Sequence, residues 1–345
     1  MRALVLGGSA FIGRQLVDTL LHRGFTVTVL NRGCTPHDLP DDVERLVADR
    51  LDHDSMVTAL SDRTWDAVFD VSGYVMAAGG SDVDGLLDLL DGKTAHYVYV
   101  SSIMAYEQSM QGIAPWLEDF PTDRNGPATY GGFKATFEAQ LLARFERRQF
   151  PATVVRPAAV YGPRNNVFDM ETPMFLRLLQ GRPILLPHSG LVTASYGHVA
   201  DLADAMVSIV GNEKALGEVL NITAGAVTSR RYIDVLARIV GREPNIVPVS
   251  DERLADLPSG VFGHLFSARH HAVLSVDKAR QVLGFEPRYD IRAGHADAYR
   301  WFLERGHDRL QAPLSDPVWR STWNFDAEQV AVDLVRELSL AVAYR

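Results

Sequence analysis

The chain is poor in the residues that staple a fold or ligate a metal. Its 345 residues include one cysteine, Cys34. That excludes an intrachain disulfide and leaves nothing from which a cysteine metal site could be built. Lysine is nearly as scarce, with Lys93, Lys134, Lys214 and Lys278 the whole set. Acidic residues outnumber basic ones, 43 to 34, for a formal net charge of -9. A wholly basic nucleic-acid-binding surface is therefore not expected, and nucleic acid is not the expected partner, although a local basic patch is compatible with the charge. No apolar run approaches the roughly 18 residues needed to span a bilayer, so no membrane partner is expected. The first apolar run starts almost at Met1, which leaves no room for a cleavable leader and predicts a cytoplasmic protein. Repeats and low-complexity tracts are missing. No serine sits in a nucleophile-elbow motif. The adjacent pair His270-His271 lacks the companions of a compact metal spacing, so no metal is expected. What remains is 47% hydrophobic and 22% charged. That is a globular composition, sufficient for one large domain or two unequal ones.

The stretch Met1 to Gly33 carries the strongest local signal. Ala3 to Leu6 is a short apolar run that reads as a strand. Gly7 and Gly8 permit a sharp turn. Ile12, Leu16, Leu20 and Leu21 then recur at helical spacing, and Gly24 stops the helix. Phe25 to Leu30 is a second apolar strand. Strand, glycine turn, helix and strand in this order make the first half of a mononucleotide-binding unit, with its phosphate site at the helix N-terminus. Gly7 serves the turn, and Gly13 lets the helix lie close to the first strand. Ala10 stands where such a loop usually has its middle glycine, and its methyl group pushes the backbone slightly away from a pyrophosphate. After the second strand, neutral Asn31 and cationic Arg32 stand where an acidic residue would favour NAD. A guanidinium there can hold a 2'-phosphate or lie over adenine, which tilts the expected cofactor toward NADP over NAD.

The pattern continues in alternation. Val43 to Val47 reads as a short strand followed by Asp49-Arg50, and Asp52 to Leu60 as a helix. Trp65 to Val71 is a buried strand ending in Ser72-Gly73-Tyr74, at the strand ends where parallel sheets bind ligands. Ser81 to Leu90 is helical. Ala95 to Val100 is a strand ending in Ser101-Ser102, Gly132 to Phe145 a long helix, and Ala152 to Arg156 a sixth strand. This predicts an α/β fold with a doubly wound parallel Rossmann sheet. Beyond residue 163, prolines break the pattern into shorter pieces. Thr172 to Leu179, Val199 to Val210, Arg230 to Val240 and Asp277 to Leu283 read as helices, and Val219 to Ile222 as an edge strand. The expected organisation is a dinucleotide-binding domain at 1–163, completed by about 196–222. A smaller interleaved substrate lobe would comprise 164–195 and 223–305, with a C-terminal extension at 306–345. That extension carries an apolar stripe from Val330 to Val342.

Tyr130 and Lys134, in the run YGGFK, are the strongest chemical signal. At a spacing of i and i+4 they share one helix face. A free phenol, with a pKa near 10, is a poor base at neutral pH. A nearby ammonium favours the phenolate, which can then exchange a proton with a carbinol oxygen while hydride moves at the carbon. Random placement of 11 tyrosines and four lysines in this chain would give roughly 0.1 such pairs, so the pair is informative. The structural alternative is a tyrosine at a helix start beside a surface lysine. Ser102 is the natural third member, a small neutral donor for the same substrate oxygen. Ser101 is its competitor, because adjacent strand residues point oppositely. Arg156 and Arg164 flank the smaller lobe, and either suits a diphosphate or an ion pair. His198, in YGHVADLADA, suits a structural place or the substrate lobe.

The motifs GGSAFIG, VYVSS, YGGFK, RPAAVYGP, YGHVADLADA, VLNI and DKARQVLGFEPRYD, in this order over residues 1–305, resemble the extended short-chain dehydrogenase/reductase superfamily. Within it they are most similar to the NAD-dependent epimerase/dehydratase family. The resemblance implies Ser102, Tyr130 and Lys134 as a catalytic triad. It implies cofactor contacts from Gly7, Ser9, Ala10, Phe11, Ile12 and Gly13 in the loop. Further contacts would come from Asn31 and Arg32, Asp49 and Arg50 near adenine, Ser72, Gly73 and Tyr74, Lys134 and Pro157. Tyr74, Ser102, Ile103, Met104, Tyr130, Arg164 and His198 would face substrate. Members commonly act on nucleotide-linked sugars, and many are homodimers through a four-helix contact, here helices 83–91 and 132–146. The opening Gly-Gly and the Asn31-Arg32-Gly33 run look like an atypical branch that includes chloroplast proteins described as binding RNA stem-loops. Ile103-Met104 occupy the positions where sugar dehydratases carry an Asp-Glu pair and decarboxylases a glutamate. Neither side chain can protonate a leaving hydroxyl. The resemblance therefore implies an NAD(P)-dependent epimerase of a nucleotide-linked sugar. The alternatives are an NADPH-dependent ketoreductase of a keto-sugar or related secondary metabolite, and a non-catalytic RNA- or protein-binding member.

Overall fold

Short apolar runs separated by amphipathic segments set up alternating strands and helices. In the first half these are β1 (Arg2–Leu6), α1 (Phe11–His22), β2 (Thr26–Asn31), β3 (Glu44–Val47), α2 (His53–Leu60), β4 (Ala67–Asp70), α3 (Val83–Leu90), β5 (Tyr97–Val100), α4 (Tyr130–Arg148) and β6 (Ala152–Pro157). They are followed by β7 (Ala159–Tyr161), α5 (Glu171–Leu179), β8 (Pro183–Pro187), β9 (Thr193–His198), α6 (Val199–Ile209), β10 (Val219–Ile222), β11 (Gly225–Thr228), α7 (Ser229–Val240), β12 (Asn245–Val249), α8 (Asp277–Leu283), α9 (Ile291–Arg305) and α10 (Phe325–Ala343). The protein is represented by a computed structural model that describes residues 1–34, 37–72, 83–109, 114–165, 170–258, 261, 266, 270–305 and 325–343. Gly73, Tyr74 and the start of the helix expected at Ser81 lie outside the described residues.

Seven strands form one parallel sheet in the order β10-β6-β5-β4-β1-β2-β3. The doubly wound Rossmann sheet is thus present, with the order reversing between β1 and β4. Strands covered on both faces are mainly apolar, as β1, β4, β5 and β6 are, with Asp70 on β4 and Arg156 on β6 the buried charges among them. On one face Leu16, Val17 and Leu20 of α1 meet Leu202 and Met206 of α6 over the sheet. On the other, Met56, Leu87, Phe137 and Leu141 from α2, α3 and α4 cover Leu4, Val68 and Tyr99.

The smaller lobe has its own sheets. β11, β9 and β7 make one, and β12 pairs with β8 in another. Its core gathers Tyr161, Phe175, Tyr196, Tyr232, Leu236 and Phe302. The sequence marks Tyr161-Gly162-Pro163 as punctuation after the sixth strand; the backbone of β7, just before it, pairs in parallel with β9. Runs of three to six residues with mixed polarity, such as β7, β9 and β11, carry too little periodicity to be read alone. The C-terminal helix α10 lays Ala331, Val332 and Val335 on Leu185, Val247 and Val249 of the β8–β12 pair. An ion pair between Arg177 and Glu328 fastens its start. Among the described residues, no helix is long and apolar enough to cross a membrane.

Candidate active site

The cofactor loop is shaped by close approach. A Cβ on Gly13 would lie 2.1 Å from the Gly7 carbonyl oxygen, so α1 reaches the turn only because residue 13 has no side chain. Gly7 has φ +96, and a Cβ there would meet the Ser72 Cβ at 2.5 Å. Ala10 is the N-cap of α1 in extended conformation and makes no side-chain cap, which leaves the first-turn N–H groups facing the strand ends. Phe11 is buried and Ile12 half-buried, so both shape the loop from below. Ser9 and Asn31 are tied together, the Asn31 Nδ2 donating to Ser9 Oγ at 2.6 Å. Asn31 Oδ1 accepts from the Gly33 N–H at 2.8 Å. The amide is thereby oriented at the end of β2, beside an exposed Arg32.

Asp49 is half-buried, and its Oδ1 accepts from the Leu51 N–H at 3.0 Å. Arg50 turns inward. Its guanidinium forks onto Asp70 at 2.5 and 2.7 Å and donates to Ser72 Oγ at 3.0 Å. The Tyr97 hydroxyl donates to the same carboxylate at 2.6 Å. Arg50 is therefore held against the end of β4 and the residues after it. Pro157 ends β6, buried and in register with Ile222 of β10.

The residues expected to act on substrate lie at the end of β5 and the start of α4. Tyr130 is the first residue of α4 and 45% exposed. Thr129 caps this helix by accepting from the Gly132 N–H at 3.0 Å, and donates its own hydroxyl to Asp123 at 2.9 Å. Lys134 lies one turn on and is buried. Its Nζ donates to the Val100 carbonyl at 2.7 Å and sits 5.7 Å from the Tyr130 ring centroid. Burial pulls the Lys134 ammonium down to about 8, with Asp70 pushing it back up. Gly131 explains how the parts meet, because a Cβ there would stand 2.1 Å from the Met104 carbonyl oxygen. The 3-10 turn Ile103–Ala105 thus rests directly on α4. Ser102 is half-buried, its Oγ accepting from the Met104 N–H at 3.1 Å, while Ser101 points inward to Glu138. Of the two serines, Ser101 is buried and Ser102 the more exposed. Ile103 is half-buried and Met104 43% exposed, so the start of this turn presents apolar side chains.

Three expected positions have partners inside the protein. Arg156 is buried, forked onto Glu138 and donating to the Glu118 carbonyl. Arg164 bonds Asp18 of α1 at 3.1 Å and lies 3.5 Å from Asp38. His198 is 1% exposed, stacked on Tyr289 at 3.9 Å, and its Nδ1 accepts from the Ala200 N–H as N-cap of α6. Burial lowers its imidazole to about 4, which keeps it neutral. Two carboxylates escaped the sequence reading. Glu138 continues the Tyr130–Lys134 stripe by one more turn, a spacing that would have found it. Asp70 is the single charge in an apolar buried strand, which is itself a signal.

A doubly wound sheet and a glycine turn against a helix N-terminus define a protein of the dinucleotide-binding fold, and an exposed tyrosine lies beside a buried lysine at its strand ends. Residues 3–223 match the NAD dependent epimerase/dehydratase family, and the chain belongs to that family. It is 31% identical over 337 residues to the chloroplast stem-loop binding protein of 41 kDa b of Arabidopsis thaliana, spanning 91% of this chain and 82% of that protein. Its fold is similar to that of an epimerase from Methanothermobacter thermautotrophicus, with TM-score 0.75 and 19% identity, covering 90% of this chain and 94% of the other. A dTDP-glucose 4,6-dehydratase from Bacillus anthracis, solved with NAD, is similar with TM-score 0.73 and 21% identity over 89% of this chain and 98% of that one. The loop residues fit the cofactor that the family name implies, since the Gly13 cradle and the uncapped start of α1 leave backbone N–H groups for phosphate oxygens.

Proposed function

We propose that this protein is an NAD(P)-dependent epimerase of a nucleotide-linked sugar. The observation that supports the reading is the Lys134 Nζ 5.7 Å from the exposed Tyr130 ring at the start of α4, packed against the turn that Ser102 caps, whose first residues are the apolar Ile103 and Met104. The bound nicotinamide would supply a hydride acceptor and return the same hydride. Gly7, Ser9, Ala10, Gly13 and Asn31 would hold the dinucleotide, and Lys134 its nicotinamide ribose. Tyr130 takes the hydroxyl proton as the carbon beside it gives up hydride, which leaves a keto-sugar. Ser102 holds the same oxygen. Once the keto-sugar has turned over, Tyr130 would give the proton back to the same oxygen, with Ser102 still holding it. No water or leaving group is needed, which suits an apolar surface at Ile103-Met104 and argues against 4,6-dehydration.

The test is incubation with UDP- and dTDP-hexoses and a trace of NAD or NADP, followed by NMR. Two epimers should interconvert without added reductant. Strict consumption of one equivalent of NADPH would replace this reading with a ketoreductase, which the exposed Arg32 beside Asn31 also suits. Tyr130→Phe should lower turnover by about a hundredfold or more and leave dinucleotide binding intact. The likeness to a stem-loop binding protein supports a further reading, in which the fold binds RNA. Stem-loop RNA bound as tightly by Tyr130→Phe as by the unaltered protein, with no sugar turned over by either, would favour it. A homodimer through the α3–α4 face is also proposed. Asp84, Asp88, Gln140, Arg144, Arg147 and Arg148 line a groove there.

A further inference from the structure

Lys134 stands near two buried carboxylates, each held by an arginine. Glu138 receives Arg156 and Ser101, and that pair joins α4 to β5, to β6 and to residue 118. Asp70, fully buried, receives Arg50 and Tyr97. Taking an ion pair out of water is costly, and well-packed apolar residues often serve a fold as well. The Arg50–Asp70 pair therefore asks for a role besides packing, and its position suggests one. Asp70 is in register with Tyr99 on the neighbouring strand. Paired positions of a parallel sheet project to one face, so Asp70, Tyr97 and Tyr99 lie together. The Lys134 Nζ sits over the Tyr99 ring, 4.9 Å from its centroid, and donates to the carbonyl of the next residue, Val100. One strand spacing thus separates the strand bearing the carboxylate from the one the ammonium rests on.

We propose that Arg50 and Asp70 are positioning residues for the chemistry of Tyr130: Asp70 holds Lys134 as an ammonium, Arg50 limits that hold, and together they set the charge beside the phenol. This rests on the reading of Tyr130 as the proton-transfer group. Among the described residues, the charged and titratable groups around Lys134 are Asp70 on β4, Arg50 before α2, Tyr97 and Tyr99 on β5, and Tyr130 and Glu138 on α4. Burial depresses the Lys134 ammonium, Asp70 and Glu138 raise it, and Arg50 lowers it. Arginine and carboxylate therefore act on the lysine in opposite directions, and this can be measured.

Four lysines make the chain suited to selective ε-carbon labelling and NMR titration, with Lys134→Met identifying the signal. Asp70→Asn should lower the Lys134 midpoint by about one pH unit, and Arg50→Met should raise it by a similar amount. Arg50→Lys, which keeps the charge, should restore the midpoint of the unaltered protein. A general loosening would admit water and raise the midpoint in every variant, so opposite signs separate the two causes. If Asp70→Asn does not fold, the uncharged double variant Arg50→Met/Asp70→Asn takes its place, and its midpoint should fall below that of Arg50→Met. Midpoints that stay put, or that rise with loss of the carboxylate, overturn the proposal. The titration needs no substrate. A failure of the pair would show in the midpoints, and a failure of the epimerase reading in turnover by the unaltered protein.

Discussion

Two residues show how narrow the tolerances at the site are. A methyl group on Gly131 would press on the Met104 carbonyl, which is backbone and cannot rotate away. Gly131→Ala should therefore push the 3-10 turn off α4 and carry Ser102 away from Tyr130. The expected cost is about 1–3 kcal/mol in urea denaturation, with a fall in turnover larger than the fall in substrate binding. Arg32 is the opposite case, exposed and removable. If it meets a 2'-phosphate, Arg32→Ala should weaken NADP binding by about tenfold and leave NAD binding nearly unchanged, as read by fluorescence titration. Tyr130 and Lys134 were legible because a rare residue stood one helical turn from the tyrosine. Arg50, Arg156 and Arg164 were not legible, since sequence offers no way to tell an arginine facing ligand from one facing a buried carboxylate.

At the scale of elements, α4 has to start at residue 130 for the site to exist. Thr129 sets that start through its bond from the Gly132 N–H and its bond to Asp123. Thr129→Ala should cost about 1 kcal/mol in denaturant unfolding and lower turnover through fraying of the first turn. Sequence reasoning placed the helix two residues later, because Gly131 and Gly132 read as loop and the cap is visible only with its partners. The C-terminal helix makes a second case. Its apolar stripe was evident from Val330 onward, but not what the stripe covers. It lies on the β8–β12 pair, where Val332 is buried. Val332→Asp should destabilise the fold by on the order of 3 kcal/mol or more, measured by thermal or urea unfolding.

At the scale of the whole molecule, a seam of rings knits the smaller lobe together. Tyr161 stacks on His295 at 3.9 Å, His295 contacts the Tyr232 hydroxyl at 3.1 Å, and His198 lies edge-on to Tyr161. Glu171 is buried beside this seam and accepts from the Gly162 N–H at 3.0 Å and from Asn165 at 2.9 Å. Burial pushes its carboxyl from 4.5 up to about 7, in spite of those hydrogen bonds. Between these values the folded protein binds a proton that the unfolded chain releases. Its contribution to stability is thus fully present below about 4.5 and is lost as pH rises through about 7. Glu171→Gln, which stays neutral, should unfold at a higher temperature than the unaltered protein above neutral pH and lose that advantage near pH 4. Equal differences at both ends of the range would refute this account.

Local pattern was enough for the sheet, its helices and the tyrosine–lysine pair. Apolar runs, glycine turns and helical spacing act over a few residues, and burial on both faces leaves a strand little choice of side chain. The smaller lobe was legible only as a change of pattern, because short mixed strands such as β7 and β9 are defined by partners some 35 residues apart in the chain. Only the tertiary structure decided which arginines turn inward, that Ser101 is tied to buried Glu138, and that α10 covers the β8–β12 pair. Each of these depends on charges or surfaces that become neighbours once the chain is folded, and desolvation acts on a group only after those neighbours have displaced its water.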